Sequence, residues 1–289
     1  MKPPPFAYHN PNTLAEAVSL LASLENAKVL AGGQSLMPML NMRYAMPDHL
    51  VDLNDVAELS GIELRGDALY IGAMTRQRDL ELAPIVKERC PLLAEALANV
   101  GHVQTRNRGT FGGSLCHLDP ASELPAVAMT LDATILVQGK GGKRELPMAK
   151  FPPTFMTPAI DPDEIVAGAL LPLWPKGHGW AFLEFARRHG DFAVVGVAAL
   201  LALKSNGRIE RAAITICGVG PAPLRLTEAE RSLAGALPGE DAFRAAAESA
   251  GKIDAIEDVH ASKSYRQHLA LTLTERALNA AGQRAARRI

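Results

Sequence analysis

The sequence predicts an α+β protein built in two units, and three observations carry that prediction. Residues 1–53 alternate strand, helix and strand patterns, whereas the second half groups its strand patterns before its helical ones. Between two of the later apolar runs lies "SNGR" (205–208), an Asn-Gly hairpin signal. Strands segregated from helices in this way mark an α+β domain. A chain of 289 residues is long for one compact domain and sufficient for two.

The elements follow in order. Residues 13–24, "TLAEAVSLLASL", form an amphipathic helix with Thr13 and Glu16 at capping-box spacing. "AKVLA" is a short buried strand ending at Gly32-Gly33, and "SLMPMLNMR" a short helix that tolerates Pro38 in its first turn. "DHLVDL" closes a β-α-β-like unit. "ALYIGAM" (68–74) is a strand, followed by a helical stretch from Thr75 to Val100 interrupted at Pro84 and Pro91. A second glycine pair precedes a helix through "ELPAVAMTL", then come strands "ATILV" and "DEIVAGALLP". "LWPKGHGW" has the composition of a linker. Beyond it, "GWAFLEFARR", "FAVVGVAALLAL" and "IERAAITICGVG" predict a three-stranded antiparallel sheet. Three helices complete the chain: one opening at "TEAE" with Thr227 and Glu230 as a capping box, one over "EDAFRAAAESAG", and a long one through "SYRQHLALTLTERALNAAGQRAARR".

Composition excludes several functions. A formal charge of −1 gives no basic footprint for nucleic acid, and the basic "RAARRI" end reads as a solvated helix terminus. No apolar run is long enough to span a bilayer, and "MKPPPFAYHN" lacks the apolar region of a secretory leader, so a cytoplasmic location is expected. Cys90, Cys116 and Cys217 form neither a C-x-x-C pair nor the four thiolates of an iron–sulfur cluster. The eight histidines show no metal-ligand spacing, so no metal is expected on this chain.

Two glycine pairs are the candidates for chemistry. In "LAGGQSL", residues 30–36, glycine permits positive φ and close backbone approach, so successive N–H groups could cradle an anion. The same residues also serve as an ordinary strand-to-helix turn, and both readings stand. "RGTFGGSL" (108–115) repeats the recipe, so two such loops could grip two parts of one polyanion, although on the pair alone two ordinary turns fit slightly better. Neither matches G-x-x-x-x-G-K-[ST] or G-x-G-x-x-G, which argues against P-loop and Rossmann sites. No Ser/His/Asp set or paired catalytic carboxylates point to hydrolysis.

Together "AGGQSL" and "RNRGTFGGSLCHLDPASELPA" closely resemble the FAD-binding medium subunit of molybdenum hydroxylases, the xanthine dehydrogenase and aerobic carbon monoxide dehydrogenase family. The resemblance runs nearly end to end, through "FAYHNPNTLAEAVSLL", "PDHLVDLNDV", "LYIGAMT" and "ARRHGDFAVVGVAAL". It implies a vanillyl-alcohol-oxidase (PCMH)-type FAD-binding domain over residues 1–175, with subdomains of about 1–53 and 54–175, and a C-terminal α+β domain over 178–289. It implies further that Leu30, Ala31, Gly32, Gly33, Gln34, Ser35 and Leu36 hold the FAD diphosphate, and that Thr110, Phe111, Gly112, Gly113 and Ser114 form a second wall. Glu123 stands where relatives place an acidic side chain that hydrogen-bonds the cofactor; as a carboxylate it would suit sugar or ribityl hydroxyls and repel phosphate. Its other reading is a first-turn charge favourable to the helix dipole. Asp119 reads as an Asx cap before Pro120.

Phe192 aligns with a tyrosine that lies near the flavin ring in the carbon monoxide enzyme's subunit, although by residue type alone a core position fits it better. Arg187 and Arg188 line the same cleft or form a solvated strand face. A lysine that several relatives carry close to Glu184 is missing here. No histidine has the setting of a covalent flavin link, His117 being the one to check, so FAD is expected to be held non-covalently.

The implied role is electron transfer without a catalytic residue on this chain. Molybdenum cofactor on a large partner and two [2Fe–2S] clusters on a small partner would feed FAD here, in a dimer of heterotrimers, and FAD would pass electrons to an external acceptor. The alternatives are a stand-alone FAD-dependent oxidoreductase and a flavin-free assembly subunit.

Overall fold

A computed structural model describes residues 1–287; the last two residues of the basic C-terminal cluster lie outside the described residues. The chain begins with β1 (Ala7–His9), α1 (Leu14–Ser23), β2 (Ala27–Leu30), α2 (Leu36–Asn41) and β3 (His49–Asp52). Its three strands form a parallel sheet in the order β1-β3-β2. Thr13 caps α1 by accepting the Glu16 N–H at 3.1 Å. The reciprocal bond is displaced by one residue, because Glu16 Oε2 accepts from Asn12 N–H at 2.9 Å.

Next come β4 (Ile62–Arg65), β5 (Ala68–Gly72), α3 (Gln77–Leu82), α4 (Pro84–Arg89), α5 (Pro91–Leu97), α6 (Val103–Arg108), α7 (Phe111–His117) and α8 (Glu123–Thr130). β6 (Thr134–Gly139), β7 (Gly142–Pro147) and β8 (Ile165–Pro172) complete a five-stranded antiparallel sheet, order β4-β5-β8-β6-β7. The predicted interruptions at Pro84 and Pro91 are helix starts, where proline lacks an N–H that the first turn would leave unpaired anyway. β4 and β7 were not read from the sequence. Their charged, largely exposed segments (IELR, GKRELP) hide the alternation that marks a strand.

The C-terminal part holds β9 (Gly179–Phe185), β10 (Val195–Leu203), β11 (Ile209–Cys217), β12 (Leu224–Arg225), α9 (Thr227–Leu233), α10 (Glu240–Ala247) and α11 (Lys263–Ala286). The predicted sheet gains a fourth strand, the two-residue β12 on the edge of β11. The Thr227–Glu230 capping box is absent. Leu226 occupies the cap with no side-chain bond, and Glu230 Oε1 instead accepts from the Ile214 N–H at 2.7 Å and from Arg225.

This sheet is buried on both faces. Val195, Val197, Ala199 and Leu201 pack with Leu273, Ala277 and Ala281 of α11. Phe182, Ala198, Leu200 and Ala213 point the other way and join Leu93, Leu97, Leu124 and Val127 of α5 and α8. Glu95 of α5 accepts from Arg284 (2.7 Å), the Trp180 indole (3.1 Å) and the Phe182 N–H (3.0 Å), fixing the seam with polar bonds.

Candidate functional site

Leaving β2, the chain passes so close to the end of α6 that a Cβ at Gly32 would lie 2.2 Å from the Arg108 carbonyl oxygen and 2.9 Å from Gly109 Cα. Gly33 follows at φ +72°, a conformation that side chains resist. From Gly32 to Ser35, four consecutive backbone amides have no hydrogen-bond partner among the described residues. The carbonyls of Gly32, Gly33 and Ser35 do have partners, accepting from the Gln34 side-chain amide at 3.3 Å and from the Met37 and Met39 N–H groups at 3.1 and 3.2 Å.

The second glycine pair is built differently. Thr110 caps α7, its hydroxyl oxygen accepting the Gly113 N–H at 3.1 Å. The Phe111 N–H donates to the Thr75 carbonyl (3.0 Å), Gly112 to Ala73 (2.8 Å) and Ser114 to Thr110 (3.2 Å). All four amides are engaged, and the glycines lie inside the first helical turn rather than in a free loop. They serve packing: a Cβ at Gly112 would meet Ala73 Cβ at 2.5 Å, and one at Gly113 would meet the capping Thr110 Oγ1 at 2.6 Å. The two glycine segments are therefore not equivalent: the first leaves its backbone amides without partners among the described residues, and the second engages its own.

Two residues missed by sequence reasoning join the loops from behind. Arg76 donates to the Arg108 carbonyl and to Asn54 Oδ1, both at 2.6 Å, and Asn54 Nδ2 donates to the Ala31 carbonyl at 3.1 Å. No local pattern marks either residue, because each acts on backbone distant in sequence.

Glu123 opens α8 and is 7% exposed. Burial pushes its carboxyl up to about 8, with Glu184 and Asp119 adding repulsion against a favourable bond to its own N–H and the attraction of Arg106. A carboxyl raised in this way favours its protonated form near neutral pH, which weighs against its reading as a first-turn charge favourable to the helix dipole. Asp119 Oδ1 accepts the Ala121 N–H at 2.8 Å, an Asx turn leading into α8. Burial lowers the His117 pKa against the opposing attraction of Asp119.

Phe192 is 65% exposed on the β9–β10 connection, flanked by exposed Arg187 and Arg188; the core position is excluded. That connection touches the N-terminal part, since a Cβ at Gly190 would meet the His102 ring at 2.4 Å. It therefore lies against the start of α6, the helix that ends at the glycine loops. Leu30 ends β2, and Leu36 starts α2. No group of three or more His, Cys, Asp or Glu among the described residues is arranged to hold a metal ion.

Comparison with known proteins matches residues 4–174 to the family described as the FAD binding domain in molybdopterin dehydrogenase, and residues 180–281 to the CO dehydrogenase flavoprotein C-terminal domain. The chain is 40% identical to the 6-hydroxypseudooxynicotine dehydrogenase complex subunit alpha of Paenarthrobacter nicotinovorans, over 99% of this chain and 97% of that one. It is 39% identical to the carbon monoxide dehydrogenase medium chain of Hydrogenophaga pseudoflava, over 99% and 100%. The solved quinoline 2-oxidoreductase of Pseudomonas putida 86 superposes with a TM-score of 0.94 at 35% identity, covering 99% of each chain.

Proposed function

The chain belongs to the FAD-binding subunits of the molybdopterin dehydrogenases, and on that premise we propose that its unpartnered amides at Gly32–Ser35 hold the diphosphate of a non-covalently bound FAD. The family places it among the FAD-carrying components of multi-subunit molybdenum hydroxylases, with an electron-transfer role. The observation that carries the site assignment is the row of four amides unpartnered among the described residues, on a loop where backbone contact allows no side chain at Gly32.

The residues fit the cofactor. Successive N–H groups in a glycine turn form a concavity for an anion without a cationic side chain. α7 supplies a rigid wall through Thr110, Phe111, Gly112 and Gly113, and Ser114 adds a hydroxyl. As a neutral acid, Glu123 can donate a hydrogen bond and does not repel phosphate, so charge no longer limits it to the sugar or ribityl part. Phe192 presents an apolar ring at the surface, available to cover a flavin face or meet a partner. Bound FAD supplies electron transfer, and the protein contributes its position and surroundings.

The proposal extends to architecture. Residues 1–175 form the FAD unit and 178–289 the C-terminal unit. A large molybdopterin-binding subunit and a small [2Fe–2S] subunit complete a cytoplasmic dimer of heterotrimers that passes electrons to an external acceptor. No described helix is long and apolar enough to cross a membrane.

Purification and a visible absorption spectrum test the cofactor, while Gly33→Val tests the loop. A β-branched residue at φ +72° costs about 1–3 kcal/mol of local strain and should abolish flavin retention with circular dichroism unchanged. Stoichiometric flavin in a folded Gly33→Val protein would overturn the loop assignment. Native mass spectrometry from the source organism tests the partners, and finding this chain alone would refute the three-subunit assembly.

A further inference from the structure

Both ends of the β9–β10 connection (186–194) are held from one place, the first turns of α11. Phe185, the last residue of β9, meets the Tyr265 ring edge-on, with 6.1 Å between centroids. Val194, just before β10, donates its N–H to the Phe185 carbonyl at 2.7 Å, and its own carbonyl accepts from Arg266 Nη1 at 2.6 Å. The same Nη1 donates to the Gly218 carbonyl at 2.6 Å, one residue beyond the end of β11. Gly218 in turn donates its N–H to the Pro120 carbonyl at 2.7 Å, in the turn that enters α8. One guanidinium thus ties the segment that carries Phe192 to the segment that leads to Glu123.

The residue types make this junction exacting. Arg266 is 3% exposed, and its charge is met inside the protein, where Nη2 donates to Asp258 Oδ2 at 2.7 Å. Asp258 Oδ1 accepts the His260 and Ala261 N–H groups at 2.9 and 3.0 Å, which holds the carboxylate in place. The Val194 and Gly218 carbonyls have no other donor among the described residues, and a buried carbonyl without a donor is costly. Gly218 sits at φ +80°, and a Cβ there would fall 2.5 Å from the Val194 carbonyl oxygen, so the two segments touch backbone to backbone. A planar guanidinium serves both carbonyls and a carboxylate at once, whereas a lysine ammonium is a single point of charge. At its far side the connection packs on α6 through Gly190 and the His102 ring, so a shift at its base is felt beside the glycine loops.

We propose that Arg266 is a positioning residue for the cofactor site: it sets the β9–β10 connection, and with it Phe192, against the turn before Glu123. The cofactor part rests on the FAD reading above; the junction itself does not. Arg266 acts through the Val194 and Gly218 carbonyls that it holds, not by touching the cofactor.

The test uses the full chain and the conservative variant Arg266→Lys. Asp258→Asn reaches the same junction while leaving the arginine in place. Amide exchange is read first, without flavin. The Val194 and Gly218 amides should exchange about 10-fold faster in Arg266→Lys, while amides of β5 and β8 keep wild-type rates. Unchanged exchange at both amides would overturn the junction. An equal rise throughout β5 and β8 would make Arg266 a general stabiliser and overturn it as well. If Arg266→Lys does not fold, Asp258→Asn decides by the same two amides, a local rise supporting the junction and no rise overturning it. Titration with FAD is read second. Arg266→Lys should weaken flavin binding about 5-fold, and most of that loss should disappear in a Phe192→Ala background, where the connection has no ring to misplace. No loss, or a loss that persists in full without Phe192, would overturn the cofactor role and leave the junction standing. A wild type that binds no flavin would count against the FAD reading, and amide exchange would still decide the junction.

Discussion

At position 32 a side chain has nowhere to go. The atom it would strike is a backbone carbonyl oxygen 2.2 Å away, and neither chain segment can yield without moving a loop. Gly32→Ala is expected to cost about 1–3 kcal/mol and to lose flavin, read as a lower melting temperature and an absent visible spectrum. Glu123 yields a prediction about pH. Its folded pKa of about 8 lies above the ordinary 4.5, so the folded state binds the extra proton between those values. Stability is therefore greatest at low pH within this term and falls as pH rises toward about 8, by at most about 1.4 kcal/mol per pH unit. Urea titrations at several pH values should show this decline, and Glu123→Gln should flatten it.

At the scale of elements, the two glycine segments look alike as text and differ in hydrogen bonding. The amides of α7 meet the carbonyls of Thr75 and Ala73 beyond the end of β5, whereas those from Gly32 to Ser35 have no partner among the described residues. The Asn54–Arg76 link fixes their spacing by bonding to carbonyls of both. Asn54→Ala should leave the fold intact, cost about 1–2 kcal/mol, and weaken FAD binding by about 10-fold, measured by flavin fluorescence on titration. Unchanged affinity would mean that the glycine contacts alone set the spacing. Helix existence was readable because apolar periodicity and proline positions are local signals. The capping box at Thr227 was not, because Glu230 found better partners in Ile214 and Arg225 across the sheet.

Across the whole molecule, one apolar core crosses the boundary near residues 175–178, with Phe182 and Leu200 packed among residues of α5 and α8. Unfolding should accordingly occur in a single transition, with far-UV and tryptophan signals coinciding. Glu95→Ala removes the acceptor of three hydrogen bonds at that seam and should lower stability by about 2–3 kcal/mol, seen as a shifted denaturant midpoint. By itself the sequence determined the α+β class, the order of most elements, the family and the two glycine segments proposed as the site, because periodicity, turn residues and glycine pairs are written in adjacent letters. Tertiary structure alone decided which glycine loop leaves its amides unpartnered among the described residues, that Phe192 is exposed, that Asn54 and Arg76 join the loops, and that burial raises the Glu123 pKa. Each of these depends on desolvation or on a partner from distant chain, and neither quantity exists until the chain has folded.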